Sequence, residues 1–278
     1  MSTTESEAVP AVGTDASGQA DNVVVLKFGG TSVAGPERIL AVARRLADLR
    51  ETGARVVGVL SAMGGSTDEL LALAREVSPQ PPERELDMLV SVGERVSCAL
   101  AAMALIDLGH DAVSLTGSQA GIVTDTAHGK AKIVEVRARR IHEALERGAI
   151  VLVAGFQGVS TDAEVTTLGR GGSDTTAVAL AAALGADVCE IFTDVEGVFS
   201  ADPRVVPEAR KLPVLSYDEM LELSASGARV LQLRSVEFAR NHGVTLHVRS
   251  SFSDGEGTWV TGEESERMLE KAMISGIA

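Results

Sequence analysis

The sequence predicts an α/β protein, a three-layer αβα sandwich around a mainly parallel central sheet. Short runs that are apolar at consecutive positions, and mostly β-branched, recur along the chain. This pattern is typical of strands buried on both faces of a parallel sheet. Helical patterns separate the runs, and several of them end at a glycine, a common helix stop. Strand, helix and strand at this spacing indicate right-handed parallel crossovers.

Each element follows from one of these two patterns. The predicted strands are Val23–Leu26, Val56–Leu60, Ala112–Leu115, Ala149–Val153, Val188–Phe192 and Val244–Val248. The predicted helices are Pro36–Glu51, Thr67–Val77, Glu83–Leu108, Glu135–Arg147, Ser173–Leu184 and Ala228–Asn241. Ser173 or Asp174 is expected to cap the fifth helix, because short polar side chains satisfy free amides there. Residues 1–22 are rich in small and acidic residues and are expected to form a disordered tail.

Composition excludes several classes of function. The 278 residues carry 25 Lys and Arg against 39 Asp and Glu, a net charge of −14, which disfavours a nucleic-acid partner. Aromatic residues make up only 3%, too few for base-stacking platforms. We expect no membrane partner, because no apolar run reaches about 18–20 residues. Cys98 and Cys189 lie in apolar segments and lack metal-ligand spacing, which predicts buried thiols, no zinc site and a cytoplasmic location.

The loop after the first strand combines a cation with paired glycines, Lys27-Phe28-Gly29-Gly30-Thr31-Ser32. Glycines let backbone amides approach an anion closely, and the lysine adds a compact positive charge. A tight turn with a surface lysine would also explain the glycines. It would not explain a lysine at the end of an apolar strand, so the loop favours phosphate binding. It matches neither the Walker motif nor the dinucleotide fingerprint.

A second glycine-rich loop, Thr166–Thr176, runs directly into the Ala-rich fifth helix. Amides at a helix N-terminus favour bound anions, and Arg170 adds a planar fork suited to a carboxylate or phosphate. An N-capped helix with a solvated arginine is the simpler interpretation. Capping needs one residue, however, and not a Gly-Arg-Gly-Gly run, so this loop too favours ligand binding.

Two further features leave alternatives open. The polar loop Thr193–Arg204 could hold a nucleotide base and ribose, or it could be ordinary turn chemistry around Asp202. Glu94 interrupts a strongly apolar helical stretch, where a buried carboxylate is costly unless paired. It could receive a substrate ammonium group, or it could face solvent beside a neighbouring arginine.

These motifs together carry a family resemblance. The Lys27–Val33 start, the Thr166–Asp174 loop and the Thr193–Arg204 segment resemble the aspartokinases of the amino-acid kinase superfamily. The similarity runs from about Val23 to Ala278, and Glu219–Leu223 and Leu233–Glu237 are most similar to actinobacterial members. The resemblance implies the amino-acid kinase fold, ATP with Mg²⁺, and phosphorylation of L-aspartate to 4-phospho-L-aspartate. That reaction opens the routes to lysine, threonine, methionine and diaminopimelate.

The resemblance also implies roles for particular residues, with Lys27, Arg170 and Asp174 as the catalytic set. The implied phosphoryl-binding residues are Lys27, Phe28, Gly29 and Gly30. The implied aspartate-binding residues are Ser61, Thr67, Glu94, Arg170, Gly171, Gly172 and Ser173. The implied nucleotide-binding residues are Thr193, Asp194, Phe199, Asp202, Arg204 and Arg229, and Asp174 is implied to orient the cations. No residue is expected to form a dedicated metal site.

The resemblance divides the chain and sets expectations for its regulation. Residues 23–165 are expected to bind aspartate and residues 166–278 to bind ATP, and a homodimer is among the expected partners. Family members usually continue into two regulatory ACT domains, which these 278 residues do not include, so insensitivity to lysine and threonine is expected. Arg229 stands where the family usually has a lysine, so a fork replaces a point charge. Kinases for other small acids, or a nucleotide-binding subunit without turnover, are the rival interpretations.

Overall fold

An eight-stranded sheet forms the centre of the computed structural model, which describes residues 22–186, 188–228 and 230–262. The strands are β1 (Val23–Phe28), β2 (Arg55–Leu60), β3 (Ala112–Leu115), β4 (Ile122–Thr124), β5 (Ile133–Val136), β6 (Ile150–Ala154), β7 (Gln157–Ser160), β8 (Val165–Thr167), β9 (Val188–Thr193), β10 (Val198–Phe199), β11 (Lys211–Leu212), β12 (Val214–Ser216), β13 (Thr245–Ser250) and β14 (Thr258–Thr261). The central order is β12-β14-β13-β9-β1-β2-β6-β3, parallel except between β13 and β14. The predicted sandwich with a mainly parallel sheet is confirmed.

Helices cover both faces of this sheet. They are α1 (Pro36–Glu51), α2 (Ser66–Val77), α3 (Glu83–Val90), α4 (Val92–Asp107), α5 (Arg139–Glu146), α6 (Gly172–Leu184), α7 (Tyr217–Ala225) and α8 (Leu233–His242). One apolar core lies under α1 and α4, and the other lies under α5, α6 and α8. Because side chains alternate along a strand, β1 sends Leu26 and Phe28 into the first core and Val23 and Val25 into the second. Lys27 therefore points toward α6.

Smaller sheets flank the central one and were not predicted. A four-stranded sheet in the order β5-β4-β7-β8 includes the β7–β8 hairpin, which leads into the Gly169–Gly172 loop. Strands β10 and β11 form a two-stranded ladder. These strands have only two to four residues each, which is too short for a clear periodic pattern in the sequence.

Several predicted helix boundaries are wrong. The stretch predicted as one helix, 83–108, is two helices that meet at Ser91, whose carbonyl accepts a 2.6 Å hydrogen bond from Gln157 Nε2. The start of the predicted helix 135–147 is β5, because β-branched residues there pair with β4. The predicted helix from Ala228 begins only at Leu233, after Gln232 in an extended conformation. All six predicted strands are present, with ends shifted by up to two residues.

The α3–α4 stretch, 83–107, is long and apolar enough to cross a membrane by length and composition alone. However, 56% of its most apolar window is buried inside the fold, as expected for a core helix. Its composition is therefore weak evidence for a membrane span. The two thiols follow the prediction, since Cys98 and Cys189 are both free and buried. The predicted tail lies outside the described residues except for Asn22.

Candidate active site

A cleft of about 340 Å³ opens at the carboxyl edge of the central sheet. Strands β1, β2, β6 and β9 are parallel, so the loops that follow them meet there. Backbone hydrogen bonds join these loops: Gly29 N donates to Phe192 O at 3.1 Å, and Ser61 N donates to Phe28 O at 3.1 Å. The loops are therefore joined to one another at the points where they leave the strands.

A buried ion pair forms the floor of the cleft. Lys27 Nζ lies 2.6 Å from Asp174 Oδ1, and the two residues are 9% and 6% exposed. Lys27 ends a buried strand, and Asp174 belongs to the first turn of α6, which packs on the same face of the sheet. A buried charge is tolerated when it is paired, so each side chain fixes the position of the other. The ammonium group keeps further donors for an anion in the cleft.

The glycine-rich loop before α6 contributes the wall opposite β1. Gly171 is the N-cap of α6 with a left-handed φ of 73°, and no side chain caps this helix. The predicted caps, Ser173 and Asp174, are instead inside the first turn, because the chain needs a glycine to turn into the helix at 171. The uncapped helix start faces the cleft, where it favours an anion. Arg170 lines the same cleft and is exposed.

Glu94 is the carboxylate of the cleft that lacks a cation. It is 3% exposed, at the start of α4, and Oε1 accepts a 3.3 Å hydrogen bond from Ala62 N. Its other oxygen, Oε2, is buried and has no hydrogen-bond partner among the residues described. Burial raises the pKa of Glu94 to about 7, although its backbone hydrogen bonds and the charge of Arg95 act in the opposite direction. The solvent-facing alternative for Glu94 is therefore wrong. An unsatisfied buried carboxylate fits an ammonium ligand.

The structure brings most of the predicted site residues together. Those that line the cleft are Lys27, Gly29, Gly30, Ser61, Thr67, Glu94, Arg170, Gly171, Gly172, Ser173, Asp174 and Thr193. Phe28 does not, because alternation along β1 turns its side chain into the core, where it stacks on Phe192 at 4.9 Å. The side chain of Phe28 therefore does not face the cleft, and a cofactor contact by its backbone stays a prediction.

The predicted nucleotide-binding residues beyond Thr193 are not part of the cleft lining: Asp194, Phe199, Asp202 and Arg204 lie outside it. Asp202 and Arg204 instead pair with each other at the surface, 2.8 Å apart, because a two-residue spacing in a turn brings them together. This pairing holds the pKa of Asp202 below its usual range. Arg229 lies outside the described residues.

Some lining residues were missed. Phe156 lines the cleft directly after β6 and has φ of 68°, a left-handed conformation that is rare for a residue with a side chain. Its amide donates to Thr176 Oγ1 at 3.2 Å. Its place after a buried strand, next to Gly155, was the available signal. The remaining missed residues are Ala62, Gly64, Gly169, Val230 and Gln232.

Comparison with known proteins identifies the fold family. The family model of the amino acid kinase family matches residues 22–250. The chain belongs to the amino acid kinase family. The predicted resemblance to that superfamily is thereby confirmed.

Individual relatives carry a narrower name. The chain is 59% identical over 257 residues to an aspartokinase of Mycolicibacterium smegmatis, covering 92% of this chain and 61% of that protein. The crystal structure of an aspartate kinase from Synechocystis superposes with a TM-score of 0.77 at 51% identity, covering 86% of this chain and 40% of that one. E. coli aspartokinase III in complex with aspartate and ADP gives a TM-score of 0.78 at 28% identity, covering 87% and 65%. The chain thus spans about 61% of the length of the curated relative.

Proposed function

We propose that the chain transfers the γ-phosphoryl group of ATP to the β-carboxylate of L-aspartate. The products are 4-phospho-L-aspartate and ADP, as the first reaction toward lysine, threonine, methionine and diaminopimelate. The observation that carries the proposal is that Lys27, Arg170 and Glu94 line one cleft together with two glycine-rich loops. The named relatives support the choice of aspartate and of ATP.

Glu94 and Arg170 line the cleft with charges of opposite sign, which suit an amino acid with an acidic side chain. Glu94, unpaired and buried, would take the α-ammonium group, and Arg170 would take a carboxylate through its planar fork. Thr67, Ser61 and Ser173 would add hydroxyl donors at the rim. With both ends held, the β-carboxylate would be directed toward Lys27, which is the geometry that in-line transfer requires.

The proposed reaction needs no general base. The β-carboxylate has a pKa near 3.9 in water and is ionised at pH 7, so it attacks the γ-phosphorus directly as ADP leaves, with no net proton transfer. The obstacle is the repulsion between two anions. Lys27 and the amides of the Gly29–Gly30 and Gly171–Gly172 loops would offset this repulsion and the charge that develops in the transition state. Asp174 would hold Lys27 in place at 2.6 Å.

Mg²⁺ would arrive with the nucleotide, since it prefers phosphate oxygens and water to a protein cage. Among the described residues, no group of three or more His, Cys, Asp or Glu side chains could hold a metal by itself. Asp174 is occupied by Lys27, whereas Asp194 is exposed and accepts only a 3.2 Å hydrogen bond from Thr193. When bound, the ion would neutralise charge on the phosphates.

A coupled assay of ADP release tests the proposal. L-Aspartate with ATP and Mg²⁺ is expected to support turnover, whereas glutamate, acetylglutamate, carbamate and UMP are expected to give at most a few per cent of it. Preference for one of those acceptors would reassign the substrate. ATP binding without ADP formation on any acceptor would favour a nucleotide-binding subunit. Addition of lysine and threonine to the same assay tests the expected insensitivity to both.

A further inference from the structure

Asp87 is a buried carboxylate that lies outside the cleft. It belongs to α3 and is 1% exposed. His128 Nδ1 lies 2.8 Å from its Oδ2, Gly129 N donates to both oxygens at 3.1 Å, and Thr167 Oγ1 donates to Oδ1 at 2.5 Å. Such a group is stable without solvent only because donors surround it. Asp87 therefore joins α3 to the 128–129 loop and to the last residue of β8.

The segment that Asp87 holds leads directly to Arg170. Ala131 N donates to Thr167 O at 2.9 Å, so a backbone hydrogen bond also joins the 128–131 loop to the end of β8. Gly169 has φ of 74° and packs so closely that a Cβ there would lie 3.0 Å from Gly129 O. The amide of that same Gly129 is bound to Asp87. Gly169, the residue before Arg170, therefore packs against Gly129, whose amide is hydrogen-bonded to Asp87.

Arg170 has no comparable support for its own side chain. It is exposed, and among the described residues it has no ion-pair or hydrogen-bond partner. Two residues earlier, the carbonyl of Leu168 accepts a 2.9 Å hydrogen bond from Arg234 Nη1. The backbone of 167–169 therefore fixes where the Arg170 side chain starts, and with it the region that the guanidinium can reach. A planar fork binds a carboxylate with two hydrogen bonds only when its base is correctly placed.

We propose that Asp87 is a positioning residue for Arg170, acting through Thr167 and Gly129, and that it sets the affinity of the cleft for the carboxylate of the acceptor. This inference rests on the proposed function for the identity of the acceptor. Asp87 does not line the cleft. Its loss loosens the 167–170 backbone and weakens acceptor binding, while the nucleotide side of the cleft is unaffected.

The kinetic test compares two variants of α3. Asp87→Ala is expected to raise KM for aspartate at least tenfold and to change KM for ATP less than twofold. Arg84→Ala is the matched control, because Arg84 also joins α3 to the β7–β8 hairpin, through Glu164 at 2.8 Å, but at the exposed surface. The control is expected to leave both KM values within twofold. Equal changes in both KM values of Asp87→Ala, or a KM for aspartate within twofold of wild type, would overturn the proposal.

A second measurement does not depend on activity. Amide hydrogen exchange of a peptide covering 167–172 is expected to accelerate at least tenfold in Asp87→Ala, with exchange in β2 unchanged. If that variant does not fold, Thr167→Val replaces it, since valine removes only the hydroxyl donor at nearly constant volume. Unchanged exchange at 167–172 in the folded variant would refute the positioning role. If wild type is inactive on aspartate but the variant shows the expected faster exchange at 167–172, the proposed acceptor is refuted and the role of Asp87 stands.

Discussion

The cleft lining, or inner side, differs from the surface loop 194–204 beyond it, or outer side, in how firmly charged groups are held. On the inner side, Lys27, Asp174 and Glu94 are 9%, 6% and 3% exposed, and Lys27 and Asp174 fix each other. On the outer side, Asp202 and Arg204 form an ion pair whose side chains are 42% and 88% exposed. Buried groups interact strongly because water does not screen them, whereas exposed pairs contribute little. Substitutions on the inner side should therefore cost far more activity than substitutions on the outer side.

The largest expected effect comes from the cation on the floor of the cleft. Lys27→Ala should lower kcat by about 10²–10³-fold, the usual loss when one donor to a transition-state anion is removed. ADP release at saturating substrates measures it. Lys132→Ala, which changes an exposed lysine that does not line the cleft, is the control and should retain wild-type turnover. Near-normal kcat in Lys27→Ala would show that the Lys27 ammonium does not stabilise the transition state.

A smaller effect is expected from the unpaired carboxylate. Glu94→Gln keeps the shape of the side chain and its acceptor for Ala62 N but removes the charge that would bind the ammonium group. KM for aspartate should rise about 10–100-fold, because a hydrogen bond to a charged group contributes about 1.5–3 kcal/mol. KM for ATP should stay within twofold, as measured by varying each substrate in turn.

The pH dependence of wild type provides the control for that variant. The pKa of Glu94 is about 7, so the ionised form that binds ammonium is lost as the pH falls. KM for aspartate should rise about tenfold between pH 8 and pH 6 in wild type and stay flat in Glu94→Gln. The same slope in both proteins would assign the titration to another group.

As the pH rises, the stability of the folded chain should fall while aspartate binding strengthens. The folded-state pKa of Glu94 lies above its ordinary value of 4.5, so the folded chain holds a proton that the unfolded chain releases between about pH 4.5 and 7. The stabilising contribution of the protonated group is complete below that window and is lost as the pH rises through it. Glu94→Gln should therefore raise Tm relative to wild type at pH 8 and much less at pH 5. Thermal melts at the two pH values measure it, and a lower Tm at pH 8 would contradict the burial argument.

The smallest effect is expected on the outer side. Arg204→Ala breaks an exposed ion pair and should leave Tm unchanged. KM for ATP should change no more than about fivefold, since an exposed charge is screened by solvent and salt. A loss of activity as large as that of Lys27→Ala would show that the two sides do not differ as proposed.

Local sequence patterns were sufficient to predict the inner side. Lys27 lies near the carboxyl end of β1, the edge at which parallel sheets bind ligands. The Gly169–Gly172 loop instead follows β8 of a flanking sheet, and its own Gly-Arg-Gly-Gly composition marked it. Side chains alternate along β1, so Phe28 packs into the core while Lys27 points to the other face of the sheet. The sequence motif alone did not indicate this difference. In contrast, nothing local marks Asp87, because its partners His128 and Thr167 lie 41 and 80 residues away. Gln232 was missed for a related reason, since its extended conformation interrupts a helical pattern.

The most direct test of the central claim is to trap the product with hydroxylamine. An acyl phosphate formed on the β-carboxylate reacts with hydroxylamine to give aspartate β-hydroxamate, whose position mass spectrometry identifies. With ATP, Mg²⁺ and aspartate, we expect β-hydroxamate in equal amount to ADP, and at least a hundredfold less of both with Lys27→Ala. ADP without hydroxamate, or α-hydroxamate in its place, would contradict the proposal that this cleft directs the β-carboxylate of aspartate onto ATP.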